Sequence, residues 1–404
     1  EDEWIELYNR SPYSVDLSSL TLYSKTDMSP YIKLSGTLSS GGYYLIEAKN
    51  TGETDEATQS AVKDIPADLW TSFGVGLSDA GENLILAITG SATTATSTVD
   101  EISYCLNWCG GTSSYSYERY SPDLSGSSSS SWSSNYGLVK NGVNVAGVNI
   151  TGTPKARNSL NYLVNKNSDI TSDLTLRANN SPYIIDNRTT QIIAGKTLTL
   201  EPGVVLKFNM GKISAVGNVV ANGTADNPIV FTTFADDTYG GDTDGVVATP
   251  VKGTWFGVEL YTGSTAPPAG EAGSSFDHTI FRYGGNYGTG TYKKAMLYAE
   301  TSPTISNSIF EYSKGYGVSL KDSGSIVSGN TFRYNTGTTY SMGLYALNGI
   351  AGSITNNTFS DNGTGLSIIG FAGNIKDNTF TNNTTSTFIL YGPFVGTVSG
   401  NGGS

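Results

Sequence analysis

The sequence predicts an all-β protein in two blocks, a β-sandwich followed by a solenoid of short parallel strands. Three observations carry that prediction. No window holds the 3.6-residue apolar period of a long helix, whereas short runs alternate large apolar and polar residues between Gly, Ser and Asn turns. The second half repeats openly, with a pair of apolar residues five apart returning at intervals of 29, 22, 27 and 21 residues. An asparagine also keeps one fixed place in the later repeats.

Composition narrows the function classes. The 404 residues suffice for two or three domains. Only 14% are charged, but 11% are aromatic, with 25 Tyr and 5 Trp, which excludes a disordered Ser/Gly chain. The net charge is −12 and no run of Lys or Arg occurs, so no nucleic-acid partner is expected. No segment approaches the roughly 18 apolar residues of a spanning helix, so no membrane insertion is expected. Glu1-Asp2-Glu3-Trp4 leads straight into a strand-like pattern, and we expect an exported chain whose leader has been removed. Cys105 and Cys109 are either two unrelated thiols or, as favoured in an exported protein, a small-loop disulfide. A single histidine argues against a Cys/His zinc site.

Residues 1–158 form the first block. Strands are expected at Trp4 to Tyr8, Leu20 to Tyr23, Tyr43 to Ile46, Asn83 to Ile88 and Val99 to Tyr104, each bounded by turns such as Ser39-Ser40-Gly41-Gly42. The motifs Glu3-Trp4-Ile5-Glu6-Leu7-Tyr8-Asn9, Val15-Asp16-Leu17-Ser18, Gly41-Gly42-Tyr43-Tyr44, Phe73-Gly74, Leu77 to Glu82, Tyr117-Glu118-Arg119, Trp132 and Gly152-Thr153-Pro154 follow one another in order. Together they resemble the lamin-tail domain, an immunoglobulin-like β-sandwich of nuclear lamins and many secreted prokaryotic proteins. That family has an apolar strand before the Glu-Trp-Ile-Glu segment. The resemblance therefore implies a sandwich that lacks an edge strand or takes one from elsewhere. The Ser-rich stretch Asp123 to Ser134 is expected to be a surface loop, and residues 159–178 a polar connector.

Residues 179–404 follow a different pattern. Short apolar strands joined by Gly and Pro turns begin near Pro182, as in Gly195 to Phe208. The paired positions are Phe276/Phe281, Ile305/Phe310, Val327/Phe332, Ile354/Phe359 and Ile375/Phe380. Along a straight strand, side chains five apart point to opposite faces, so burying both requires a bend between them. Asn330, Asn357, Asn378 and Asn401 stand three positions into their repeats, where we expect that bend to use the left-handed conformation Asn tolerates. Stacked, they would form a hydrogen-bonded ladder. Thr279 and Ser308 hold that place in the two earlier repeats, so the ladder is expected to begin at the third. A second apolar strand follows in each repeat, as at Val318 and Leu320 or Leu366 and Ile368. Such repeats describe a parallel β-helix with a core of Phe281, Phe310, Phe332, Phe359 and Phe380. They resemble the right-handed parallel β-helix superfamily of secreted proteins, which includes the pectate lyase-like group. That scaffold hosts many activities, so the resemblance implies the fold and not a reaction.

The densest acidic cluster is Asp236, Asp237, Asp242 and Asp244, within an insertion expected at about 235–272. Four carboxylates among glycines offer the oxygen ligands and tight turns that Ca²⁺ prefers, and a solvated acidic turn is the competing reading. A bound Ca²⁺ would be structural. Similar loops in bacterial β-helix proteins carry a further acidic residue near Val246, which is absent here.

Catalytic readings fare poorly. Residues 303–394 hold only Glu311, Asp322, Asp361 and Asp377, at different repeat positions, so no carboxylate pair stacks into a hydrolase site. Arg282 and Arg333 each follow a core Phe, with Glu311 in the repeat between them, which favours a surface charge ladder over the alternative of a basic substrate groove. His278 has no nucleophile partner and reads as a turn residue. Tyr283, Tyr287, Tyr292, Tyr298, Tyr312, Tyr316, Tyr334, Tyr340 and Tyr345 would stack on sugar rings, form a protein interface or lie partly buried along the helix side. Nine Asn-x-Ser/Thr sequons, including Asn149, Asn187, Asn222 and Asn362, are compatible with surface glycosylation.

The expectation is therefore a non-catalytic extracellular structural protein: a cell-surface, surface-layer or filament subunit. Val398 to Asn401 restarts the repeat, and Gly403 stands where Phe is due. We accordingly expect copies to associate end to end by β-strand addition. A carbohydrate-binding or polysaccharide-degrading β-helix protein, with glycans as partners, is the alternative.

Overall fold

The computed structural model describes residues 3–88, 98–104, 106, 108, 115–135, 142–159, 169–241, 243–244, 249–262, 273–286, 293–337 and 341–403. The chain divides into two compact units, residues 1–165 and 166–404.

The first unit is built from small, mostly antiparallel sheets. Trp4–Tyr8 pairs antiparallel with Tyr43–Ala48, which pairs parallel with Leu69–Thr71. A four-stranded antiparallel sheet runs Tyr31–Lys33, Leu20–Ser24, Leu84–Ile88, Thr98–Ile102. Strand alternation turns Ile5, Leu7, Tyr44 and Ile46 of one sheet and Leu20, Leu22 and Ile32 of the other into a shared apolar cluster with Leu34, Leu38 and Phe73. The Ser-rich stretch departs from the expected loop. Its end, Trp132–Ser134, is a strand on Tyr117–Arg119, with the Trp132 and Tyr117 rings stacked 5.5 Å apart. That aromatic contact outweighs the low strand propensity of the serines.

The second unit is a parallel β-helix with three faces. A nine-stranded sheet forms its second face, from Tyr183–Asp186 through Thr279–Arg282 to Gly402–Gly403. The first and third faces belong to one long sheet path that joins where strands run on from face to face. Register is kept coil after coil. Phe276, Ile305, Val327, Ile354 and Ile375 align on the first face, and Phe281, Phe310, Phe332, Phe359 and Phe380 on the second. The phenylalanine rings stack at 5.0, 5.2, 4.8 and 5.0 Å, close to the roughly 4.8 Å spacing of strands. The stack continues upward to Phe231 at 4.3 Å from Phe281.

Three boundaries differ from the sequence expectation. Leu174–Leu176 pairs with Thr197–Leu200, so the later part of the expected connector is already coil. Gly257–Leu260 pairs with Lys212–Ala215 and Ala295–Ala299, so a coil strand divides the expected insertion in two. Trp255 anchors that strand, fully buried and stacked 4.3 Å from Phe208. Farther on, Met342–Thr355, Thr364–Lys376 and Ser386–Ser399 each run unbroken from the third face of one coil into the first face of the next. Glycine makes that corner possible. Gly373 and Gly396 have φ of +145° and +152°, and a Cβ on either would collide with the carbonyl of the coil before.

Candidate functional site

The corner between first and second faces explains the five-residue offset. The left-handed residue is not the ladder asparagine but the one before it: His278, Asn307, Gly329, Asn356, Asp377 and Gly400. With that residue carrying the bend, the next is free to point inward. Asn330 donates from both backbone N and Nδ2 to Asn357 Oδ1 at 3.0 Å. Asn357 does the same to Asn378 at 3.0 Å, and Asn378 to Asn401 at 3.0 and 2.8 Å.

The ladder also begins earlier than the third repeat. Ser308 N donates to Asn330 Oδ1 at 2.9 Å, and Thr279 N and Oγ1 both donate to Ser308 Oγ. Hydroxyls thus substitute for the amide acceptor. A second ladder escaped the sequence reading. At the corner between second and third faces, Asn335 donates to Asn362 and Asn362 to Asn383, while Ser313 N donates to Asn335. Its signal was available, because Asn335, Asn362 and Asn383 each lie five residues after a first-ladder asparagine. Asn362 is fully buried, so its sequon is closed to modification in the folded chain.

The outer side of the second face carries an ion ladder, and much of it is buried rather than superficial. Arg282, Glu311 and Arg333 are in register, with Arg282 9% and Glu311 5% exposed. Arg333 Nη2 meets Glu311 Oε2 at 2.7 Å. Arg282 Nε lies 3.1 Å from Glu311 Oε1, a Coulombic contact too bent for an aligned hydrogen bond. Above Arg282 sits Asp236, fully buried, at 3.4 Å.

Asp236 belongs to a strap whose described residues, 235–241, 243–244 and 249–256, include side chains laid against this face. Its Oδ2 also accepts from Thr232 Oγ1 at 2.6 Å and its Oδ1 from Thr238 N. Tyr239 lies 5.4 Å from the Arg282 guanidinium and packs on Val205, Val230 and Ile280. The buried Lys207 ammonium donates to Gly241 O and Thr243 Oγ1. Farther along, Lys252 Nζ donates to Tyr334 O and Thr336 Oγ1, each at 2.7 Å, and the cost of burial lowers its pKa.

These contacts correct the acidic-cluster reading in part. Asp236 spends its oxygens on protein donors and faces no solvent. Asp242 lies outside the described residues, as do Cys105 and Cys109, Tyr287, Tyr292 and Tyr340. Among the described residues no group of three His, Cys, Asp or Glu could hold a metal ion.

The remaining tyrosines form two closed arrays. Tyr283, Tyr312 and Tyr334 take left-handed corner positions and stack at 5.2 and 5.3 Å, with Tyr334 39% exposed at the end. On the outer side of the third face, Tyr298, Tyr316 and Tyr345 are buried at 1%, 2% and 7% exposure, Tyr316 stacking on Tyr345 at 5.1 Å. Tyr261 and Tyr298 donate to Glu259 and Glu300 at 2.6 and 2.7 Å, and burial raises both phenol pKa values. Lys212 meets Glu259 at 2.7 Å, and Lys321 approaches Glu300 at 3.7 Å. His278 is a corner residue, its Nδ1 3.0 Å from Asp277 Oδ2.

The fold and these ladders define a right-handed β-helix. A family model described as right handed beta helix region matches residues 255–402. Comparison with the curated proteins and with the solved structures returned no match. Among the described residues no helix is long and apolar enough to cross a membrane, which says nothing of β-barrels.

Proposed function

We propose that the chain is a non-catalytic extracellular scaffold of the cell surface or of a filament, its first unit a lamin-tail-like sandwich. One observation carries this reading. Most aromatic and charged side chains described on the outer faces of the earlier coils are turned onto each other across coils, and among the described residues no acid and base converge on an open cleft. Glu259 and Tyr298, the groups best placed for third-face chemistry, are 3% and 1% exposed and committed to Tyr261 and Glu300. Catalysis needs such groups free to meet a substrate.

Reducing-sugar and unsaturated-product assays on a polysaccharide panel test the reading, with no turnover expected. Turnover abolished by changing Arg282 or Arg333 would overturn it. Self-association is part of the proposal, and electron micrographs should show filaments or sheets, whereas particles that stay monomeric across concentration would remove that part. Calcium binding is proposed for Asp237, Asp242 and Asp244 without Asp236, to be tested by the effect of a chelator on cleavage within the strap. Glycan binding is the second reading, favoured by the exposed Tyr334 ring beside Arg333 and Lys252. A glycan array on which Tyr334→Ala loses no signal argues against it.

A further inference from the structure

Independently of that reading, the first unit holds three acidic side chains in places where a negative charge is poorly accommodated. Glu47 is fully buried and Glu82 is 4% exposed. Each has one carboxyl oxygen, Glu47 Oε1 and Glu82 Oε2, that is buried without a hydrogen-bond partner. Their other contacts are a single backbone region each: Val62 N donates to Glu47 Oε2 at 3.0 Å, aided by Ser60, and the Ser78 backbone bonds Glu82. Glu6, on the strand Trp4–Tyr8, is half-buried, and Lys155 N donates to its Oε2 at 2.5 Å.

The groups facing these carboxyls make matters worse for an anion. Glu118 and Asp68 face Glu6, Asp27 and Glu3 face Glu82, and Glu56 faces Glu47. Lys155 is the cation that faces Glu6 and Glu47 among the described residues, and its ammonium is held by Asp68 at 3.0 Å. Burying an uncompensated charge costs far more than burying the neutral acid.

We infer that the first unit is an acid-tightened module: the sealed carboxyls of Glu47 and Glu82, joined by the half-buried Glu6, take up protons on folding, and the unit loosens as pH rises. Burial pushes Glu6 up to about 8, Glu82 up to about 7 and Glu47 up to about 6. The sign follows directly. Between the unfolded value near 4.5 and each folded value, the folded chain holds a proton that the unfolded chain has lost. Stability is then greatest below that window and declines as pH climbs through it.

Tryptophan emission isolates the effect, because Trp4, Trp70, Trp108 and Trp132 lie in the first unit and only Trp255 in the second. Urea unfolding of the full chain at pH 5.5, 6.5 and 7.5 should show the tryptophan-detected unfolding constant rising about tenfold per pH unit for each proton held. At least a tenfold rise is expected between pH 5.5 and 6.5. Glu6→Gln and Glu82→Gln should each flatten that slope while leaving the unit stable at pH 5.5. An unfolding midpoint that is constant or rises across this range overturns the inference, as does an unchanged slope in both variants. Should a variant fail to fold, unfolding the unaltered chain in weakly buffered urea at pH 6 should release about two protons. Release of none overturns the inference as well.

Discussion

Replacing Asn357 by alanine tests what holds the β-helix corner together. Asn357 is 1% exposed, and its side chain makes four hydrogen bonds of 3.0 Å. It accepts from Asn330 N and Nδ2, and donates to Val327 O and Asn378 Oδ1. Alanine removes all four but strands the partners unequally. Asn330 Nδ2 retains Ile305 O, and Asn378 Oδ1 retains Asn357 N. The Asn330 N–H loses its partner and is left buried, at a cost of about 1–3 kcal/mol, whereas the Val327 carbonyl keeps the Thr355 N–H that the parallel register gives it. The expected loss is therefore about 2–3 kcal/mol. The matched control is Asn374→Ala, at an exposed first-face position, which should stay within about 0.5 kcal/mol. Both are read by urea unfolding followed by far-ultraviolet circular dichroism, which reports the many coil strands. If Asn357→Ala falls within about 1 kcal/mol of Asn374→Ala, the ladder is a consequence of the coil and not a support for it.

Phe332→Ala should cost about 3–5 kcal/mol in the same assay, because the ring is fully buried between Phe310 and Phe359. Arg282→Met should leave Asp236 buried without its cation and free the strap. Trypsin cleavage after Lys252 should then accelerate, and an unchanged rate would show that Tyr239 and Lys207 alone hold the strap down. Gly373→Ala should destabilise the later coils, since its φ of +145° and the Gly352 carbonyl leave no room for a Cβ; hydrogen exchange confined to faster rates in residues 352–403 would confirm the locus.

The paired apolar positions fixed the coil register on their own. Their offset of five demands a bend, and the bend places both members inside, as Ile354 and Phe359 show. The same offset held the second ladder of Asn335, Asn362 and Asn383, but Asn is common in turns and its inward aim was not evident from spacing. Which residue bends the chain was misplaced by one position. Asn356 and Asn357 are the same residue type, and only backbone geometry separates the left-handed Asn356 from the inward Asn357.

The charged groups divide the two levels most sharply. From sequence, Arg282, Glu311 and Arg333 could be placed on one row, because side chains that follow a core Phe leave the core together. The burial of Arg282 could not be, because it is covered from outside the coil by Asp236 and Tyr239. Repetition along the chain determines what stacks, since each coil repeats the local pattern of the last. Loops that cross the faces obey no such period. Whether an outward side chain meets water or protein was therefore decided only by the tertiary structure.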